Sequence, residues 1–201
     1  MLEYEQRYLE QGYQNIAGID EVGRGPLAGP VCAAAVILPP GLVIDGINDS
    51  KKLTEKKREA LYDIIAKEAV AWATAYVSPE VIDQINIRQA THKAMQMAVE
   101  ALKIPADFLL VDGNDRIPFD TESEYIIKGD AKSQSIAAAS IMAKVTRDRY
   151  MVEMDSVYPG YGFAKNKGYG TKVHMEGIRS IGLCPIHRRS FITPKVLGIH
   201  E

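Results

Sequence analysis

Cysteine is nearly missing from these 201 residues: there are two, Cys32 and Cys184. They lie far apart and outside any CxxC or Cys/His spacing, which excludes a disulfide framework and a zinc site. Cys32 sits in an apolar run, so a buried thiol is expected there. Long hydrophobic stretches are missing as well. None approaches the roughly 20 residues that span a bilayer. The first residues, Met1 to Tyr8, lack the apolar core of a secretory signal, so a cytoplasmic protein that makes no use of a membrane is expected. Nor is there an excess of positive charge: 24 Lys and Arg stand against 26 Asp and Glu, a net −2. Net charge alone therefore does not announce a phosphate binder.

What is present is an ordinary globular composition, 46% hydrophobic and 25% charged, long enough for one good-sized core. Its charge is unevenly placed. Residues 1–159 carry 17 basic and 24 acidic side chains, whereas residues 160–201 carry 7 and 2. The C-terminal fifth is thus the better candidate for touching phosphates. The expected organisation is a main unit over 1–157 and a basic, helical, substrate-binding segment over 158–201 packed on it.

Periodicity and punctuation outline the elements. Leu2 to Gln11 reads as a short charged helix, and Asn15 to Asp20 as a strand broken by the turn Gly23-Arg24-Gly25-Pro26. Val31 to Leu38 is a second strand, pairing with the first like a hairpin. Thr54 N-caps a helix over Glu55 to Ala69, and Val70 to Val77 has strand character. Helical periodicity from Glu80 to about Leu102 is interrupted near Asn86. Asp107 to Asp112 and Tyr125 to Ile127 are further strands. Ser133 to Val157 is a long helix whose first half, rich in alanine, allows close approach to a sheet. Tyr158 to Gly170 reads as a Gly-rich loop with lysines, and Lys172 to Ile181 as a last helix. No repeat or low-complexity segment occurs. The sum is an α/β fold with a mixed central sheet flanked by helices and a helical C-terminal subdomain.

The chemistry-bearing pattern is acidic. Three apolar strands stop on carboxylates, at Asp20-Glu21, at Asp112 and, past Gly129, at Asp130. Strand ends gather side chains from distant positions onto a rigid frame, and carboxylates gathered there repel one another unless a cation intervenes. Hard divalent ions with oxygen ligands meet that need. Two of them about 3.5–4 Å apart can activate water and stabilise both oxygens of an in-line phosphoryl displacement. Adjacent strand residues point to opposite faces, so Asp20 and Glu21 can share a site only at a strand end or bulge.

The stretch Gly18-Ile19-Asp20-Glu21-Val22-Gly23-Arg24-Gly25-Pro26-Leu27-Ala28-Gly29-Pro30-Val31 resembles the signature of type 2 ribonucleases H, ribonuclease HII in particular. Further blocks fit that family in the same order. They are Asp49-Ser50-Lys51-Lys52-Leu53, Lys128-Gly129-Asp130-Ala131-Lys132-Ser133 running into Ile136 to Ile141, and Lys167-Gly168-Tyr169-Gly170-Thr171. The resemblance implies an RNase H-like fold and a site for two Mn²⁺ or Mg²⁺ ions on Asp20, Glu21, Asp112 and Asp130. It implies hydrolysis of the RNA strand of RNA–DNA hybrids and cutting 5′ of single ribonucleotides in duplex DNA, leaving 3′-hydroxyl and 5′-phosphate, in replication and ribonucleotide excision repair. It assigns Gly23, Arg24 and Gly25 to reading the ribose 2′-hydroxyl through their backbone, and Tyr169 to the neighbouring sugar. Glycines let main-chain groups approach a sugar closely, and the 2′-hydroxyl is what separates RNA from DNA. Lys51, Lys165, Lys167, Arg188 and Arg189 are the expected phosphate contacts, which position a duplex without reading it. A monomer is the default; a sliding-clamp contact is left open.

Two other readings compete. Gly23-x-Gly25-x-x-Ala28 after a strand fits a dinucleotide-binding fingerprint, but that motif should open a helix, and Pro26, Pro30 and the apolar Val31 to Leu38 point to a turn and a strand. A non-catalytic nucleic-acid-binding module would use the basic C-terminal region, yet would avoid four acids. Bland roles are expected elsewhere. His174 and His187 read as isolated surface or core histidines, Met142, Met151 and Met154 as packing residues, and Asp115, Asp120, Glu122 and Glu124 as loop solvation.

Overall fold

The structure is a computed structural model and describes residues 1–48, 50–194 and 197–198. Asp49, the first residue of one resemblance block, lies outside the described residues. The elements run α1 (Glu3–Glu10), β1 (Ile16–Val22), β2 (Val31–Ile37), α2 (Glu55–Glu68), β3 (Ala71–Val77), α3 (Pro79–Glu100), β4 (Phe108–Asp112), β5 (Ser123–Ile126), α4 (Gln134–Val157), α5 (Phe163–Asn166) and α6 (Lys172–Ile181). Short 3-10 turns at Ser50–Lys52 and Gly129–Ala131 precede α2 and α4.

The sheet order is β3-β2-β1-β4-β5, with β1, β2 and β3 antiparallel and β1, β4 and β5 parallel. This is the mixed sheet expected, and the β1/β2 pair is the expected hairpin. Helix starts follow local chemistry. Thr54, Ser78, Ser133 and Thr171 each accept a hydrogen bond from a backbone N–H in the first turn of α2, α3, α4 and α6. The break expected near Asn86 is real: its φ of 69° interrupts α3, and its side chain accepts from Gln89 N to restart the helix. The segment expected as a loop up to Gly170 contains the short α5. Gly162 and Lys167, both left-handed, bound it.

Helices cover both faces of the sheet. On one, alternate strand residues Ala17, Ile19, Ala33 and Ala35 pack against Ala90, Ala94, Met95 and Ala98 of α3. On the other, Cys32, Ala34 and Val36 meet Ile65 of α2 and Ala138, Ile141 and Met142 of α4. The alanine-rich strand and helix let α4 lie very close to β1. A Cβ on Gly18 would stand 2.0 Å from the Ser135 carbonyl carbon. Each buried Ile or Met contributes about 1.5–3 kcal/mol, so the apolar alternation is enough to hold this register. Beyond the sheet, Tyr161 and Phe163 stack 5.1 Å apart and pack with Met151, Ile178 and Ala28, joining the C-terminal segment to the far half of α4.

Candidate active site

The parallel β1/β4 ladder ends at the pair Ile19 and Val111, so the next residues, Asp20 and Asp112, stand side by side where the two strands separate. β1 itself does not stop at the acids. It stays paired with β2 through Val22, which corrects the reading of Asp20-Glu21 as a strand terminus. What ends there is only the β4 side of the ladder. Along β1 the two adjacent acids take opposite faces, Asp20 toward Ser140 of α4 and Glu21 toward Thr91 and His92 of α3, with Asp112 beside both at the open end of β4. Asp20, 5% exposed, is hydrogen-bonded to Ser140 of α4, while its Oδ1 accepts from Glu21 N at 2.7 Å. Glu21 lies in a cleft with Arg24, Thr91, His92, Asp112 and Asn114, and Arg24 reaches its Oε1 at 3.4 Å.

Asp130 also departs from expectation. β5 ends at Ile126, Ile127 is exposed, and Asp130 sits in the 3-10 turn Gly129–Ala131, not at a strand end. Lys128, left-handed with φ of 57°, turns the chain back. That turn caps the neighbouring acid: Asp112 Oδ1 accepts from Gly129 N at 2.6 Å and from Asp130 N at 3.4 Å. Asp130 itself is buried. The four acids thus come from β1, the end of β4 and the turn before α4.

The pKa values of Asp20 and Glu21 are both shifted upward. Burial first, then the charges of Glu21 and Asp112, hold Asp20 well above the usual carboxylate range. Burial also raises Glu21; Arg24 opposes this and Asp112 reinforces it. Ionised carboxylates that raise each other's proton affinity are relieved by a nearby cation. Among the described residues no three His, Cys, Asp or Glu side chains converge into a finished metal cage. Asp20 and Asp112 each turn one oxygen toward a backbone N–H. The donor set is all hard oxygen and suits Mg²⁺ or Mn²⁺.

Beside the acids lies the turn Gly23-Arg24-Gly25. Gly23 has φ of +88°, and a Cβ there would meet Arg147 Nε at 2.2 Å, so only glycine fits. Gly25 differs. A Cβ there would make one ordinary contact, 3.5 Å from Tyr169 Cε1. The fold does not demand glycine at 25, and its bareness leaves a gap beside the Tyr169 ring, which is 46% exposed. Gly168 fixes that tyrosine's position: its O accepts from Leu27 N at 2.9 Å, and a Cβ on it would lie 2.3 Å from Ala28 O. The chain from Asp20 to Gly25 and the distant Gly168-Tyr169 therefore share one surface.

The basic residues divide. Lys51, Lys165 and Arg189 are exposed, Arg189 lining a groove with Glu80, Asp83 and Gln84. Lys167 is half-buried and its ammonium donates to Ala164 O. Arg188 is a correction. It is fully buried, with Nε donating to Gly29 O, Nη1 to Arg24 O and Nη2 to Gly23 O. It supports the turn from beneath and has no face for a phosphate. Sequence reasoning also missed Arg147. Its only signal was a charged residue in helical step with Ala143 and Met151 on the buried side of α4.

Two bland readings change as well. His174 and His187 are not isolated: their Nε2 atoms are 3.0 Å apart in the interior, and Cys184 Sγ lies 3.1 Å from His187 Nδ1. Asp115 is a clamp, paired with Arg88 and with His92 at 2.8 Å. Glu124 joins Arg7 and Tyr8 of α1 in the same manner, and Glu122 joins Tyr13. The dinucleotide reading fails on geometry, because Gly23 to Ala28 leads into β2 and not into a helix.

The family model described as Ribonuclease HII matches residues 17–194. The chain belongs to the ribonuclease HII family. A ribonuclease HII of Listeria innocua is 55% identical over all of this chain and 76% of its own length. Among solved structures, ribonuclease H2 of Pyrococcus horikoshii superposes with a TM-score of 0.78 at 27% identity, over 92% of this chain and 97% of that one. The ribonuclease HII of Archaeoglobus fulgidus, solved in complex with PCNA, gives 0.74 at 28%, over 89% and 96%. The matched residues run through all four acids, the turn and Tyr169. Family membership makes the chain an endoribonuclease of RNA–DNA hybrids.

Proposed function

We propose that this endoribonuclease cuts on the 5′ side of a ribonucleotide, in a hybrid or singly embedded in duplex DNA, with Asp20, Glu21, Asp112 and Asp130 holding two Mn²⁺ or Mg²⁺ ions. Bound there, the ions supply Lewis acidity that lowers the pKa of a water and neutralises the phosphate. The protein's own groups supply position. Asp112 is oriented by the Gly129 and Asp130 amides, and Asp20 by Ser140 and the Glu21 amide. Gly23 to Gly25 offer backbone to the ribose 2′-hydroxyl, and the Tyr169 ring, 3.5 Å from where a Gly25 side chain would start, lies against the adjoining sugar. Lys51, Lys165, Lys167 and Arg189 are assigned to the phosphates.

One observation carries the reading: Asp20 and Asp112 stand at the separating ends of two parallel strands with Glu21 next to them, close enough that Asp112 raises the proton affinity of both Asp20 and Glu21, beside a bare turn and an exposed tyrosine. Residues from 158 onward, which contribute Tyr169, are read as the substrate-binding part of the same unit. The proposed oligomeric state is a monomer. Among the described residues no helix is long and apolar enough to cross a membrane, and the cytoplasm, where such duplexes occur, is the proposed place of action. A sliding clamp is a proposed partner on the strength of the Archaeoglobus complex.

The test is a DNA duplex carrying one ribonucleotide, incubated with Mn²⁺ or Mg²⁺ and then with chelator. Cutting 5′ of that ribonucleotide, abolished by chelator and by Asp112→Asn, is expected. Cutting that survives both would sink the metal site.

A further inference from the structure

Two arginines lie wholly inside this protein without a carboxylate. Arg147 and Arg188 are both 0% exposed, and among the described residues neither forms an ion pair. Asp148, next to Arg147 in sequence, turns to Lys144 at 2.7 Å and to Arg58. Asp83 accepts from the backbone of Arg189 and Ser190. Burying a cation unpaired is costly. Burial and the like charge of Arg147 push Arg188 down to about 9. What offsets that cost is a set of main-chain carbonyls, and these belong to two segments only. Arg188 holds Gly23 O, Arg24 O and Gly29 O. Arg147 holds Ala28 O at 3.1 Å, Pro30 O at 2.8 Å and Lys167 O at 2.9 Å.

The consequence follows from peptide geometry. A trans peptide directs its C=O and its N–H oppositely. With the Gly23 and Arg24 carbonyls turned inward to Arg188, the amides of Arg24 and Gly25 point outward, toward the open side of the turn beside Tyr169. Arg147 bonds both the 28–30 stretch and the residue before Gly168-Tyr169, so turn and tyrosine move as one body. Three glycines make room for this core. A Cβ on Gly23 would meet Arg147, one on Gly29 would meet Met151 and Arg147, and one on Gly168 would meet Ala28 O.

We infer that Arg147 and Arg188 are positioning residues for substrate selection, fixing the peptide planes of Gly23 to Gly25 and locking that turn to Tyr169, so that preference for a ribonucleotide depends on two side chains that never touch it. The inference rests on the proposed function above. Lysine keeps the charge but cannot spread a planar fork over three carbonyls, so Arg188→Lys and Arg147→Lys are the informative variants.

Each is made in the Asp112→Asn protein, to prevent turnover, and Kd is measured for a duplex with one ribonucleotide and for the same duplex in all DNA. The parent is expected to prefer the ribonucleotide duplex. The Lys variants are expected to bind plain DNA as the parent does and to lose the preference. A merely structural defect lowers the folded fraction and scales both affinities together, leaving their ratio intact. With Asp112 restored, each Lys variant is expected to keep the wild-type Mn²⁺ affinity while kcat/KM at the single ribonucleotide falls on the order of 10²-fold. A Lys variant that folds and keeps the parent's ratio overturns the inference. So does failure of both variants to fold, which would make the arginines general core residues. A parent that neither prefers the ribonucleotide duplex nor, with Asp112 restored, cuts it removes the proposed function and the inference together.

Discussion

The acid centre and the turn beside it are built on opposite electrostatic plans. Asp20, Glu21 and Asp112 are gathered like charges whose mutual repulsion is left uncompensated by the protein, apart from Arg24, Ser140 and a few amides. Gly23 to Gly25, by contrast, are held by buried cations whose charge is spread over six main-chain carbonyls. On the proposed function, the first arrangement is completed by an external cation. The second is complete within the chain. On the proposed roles, a centre that accepts metal ions gains from unrelieved negative potential, whereas a surface that distinguishes one hydroxyl gains from rigidity.

The largest effect that would sharpen this contrast is chemical. Asp112→Asn should lower cleavage on the order of 10³-fold, the equivalent of several kcal/mol of transition-state stabilisation, with circular dichroism unchanged. Near-normal cleavage would remove Asp112 from the centre.

Next in size are two glycines on either side of Tyr169, one preceding it in the chain and one beside its ring. Gly168→Ala, at φ +90° and against Ala28 O, should destabilise by about 3 kcal/mol or more. Gly25→Ala should change stability by no more than about 0.5 kcal/mol, yet reduce cleavage at a single ribonucleotide tenfold or more, roughly the effect of a small misplacement of the reacting groups. Urea unfolding and steady-state kinetics on both variants separate the two roles. Equal stability losses would show that Gly25 serves the fold.

Third, the two regions should answer pH in opposite directions. Burial and the neighbouring His174 hold His187 down at about 4, and burial lowers His174. The unfolded chain then binds more protons between about 4 and 6.5, so this pair's stabilisation is whole above pH 6.5 and is lost as pH falls through that window. For His187 the loss is about 2–3 kcal/mol. His187→Gln should flatten that slope in a urea series from pH 4 to 7.

Asp20 has the reverse sign. Its raised pKa means the native state keeps a proton the unfolded chain releases, so stability falls as pH rises above the usual carboxylate range. Metal-free Asp20→Asn should therefore melt a few degrees higher than wild type at pH 7, and Mn²⁺ should raise the wild-type Tm more than the variant's. A lower Tm for the metal-free variant would mean that Asp20 stabilises the fold. The smallest expected effect is at exposed Lys165. Lys165→Ala should lower the slope of log affinity against log salt by about one without altering ribonucleotide preference.

Much of this was legible along the chain. Alternation marked the strands, Thr54 and Ser133 marked helix starts, and acids after Ile19 and Val111 marked the rim of the sheet, because each signal is local. Asp130 was placed in the wrong element: a short apolar run before Gly129 reads the same whether the acid ends a strand or rides a 3-10 turn. Arg188 was misread since a basic tail looks alike whether its guanidinium faces water or three buried carbonyls. The His174 and His187 contact spans thirteen positions and leaves no periodic trace.

The amino-acid order by itself determined the element types, the α/β class and the family, and it nominated the four acids, for these rest on near-neighbour spacing and on motifs that survive without coordinates. Which way each side chain faces was decided only in three dimensions. Burial, and with it the choice between a phosphate contact and an internal brace, depends on segments as distant as residues 23, 147, 168 and 188 meeting in one place, and no local pattern encodes that meeting.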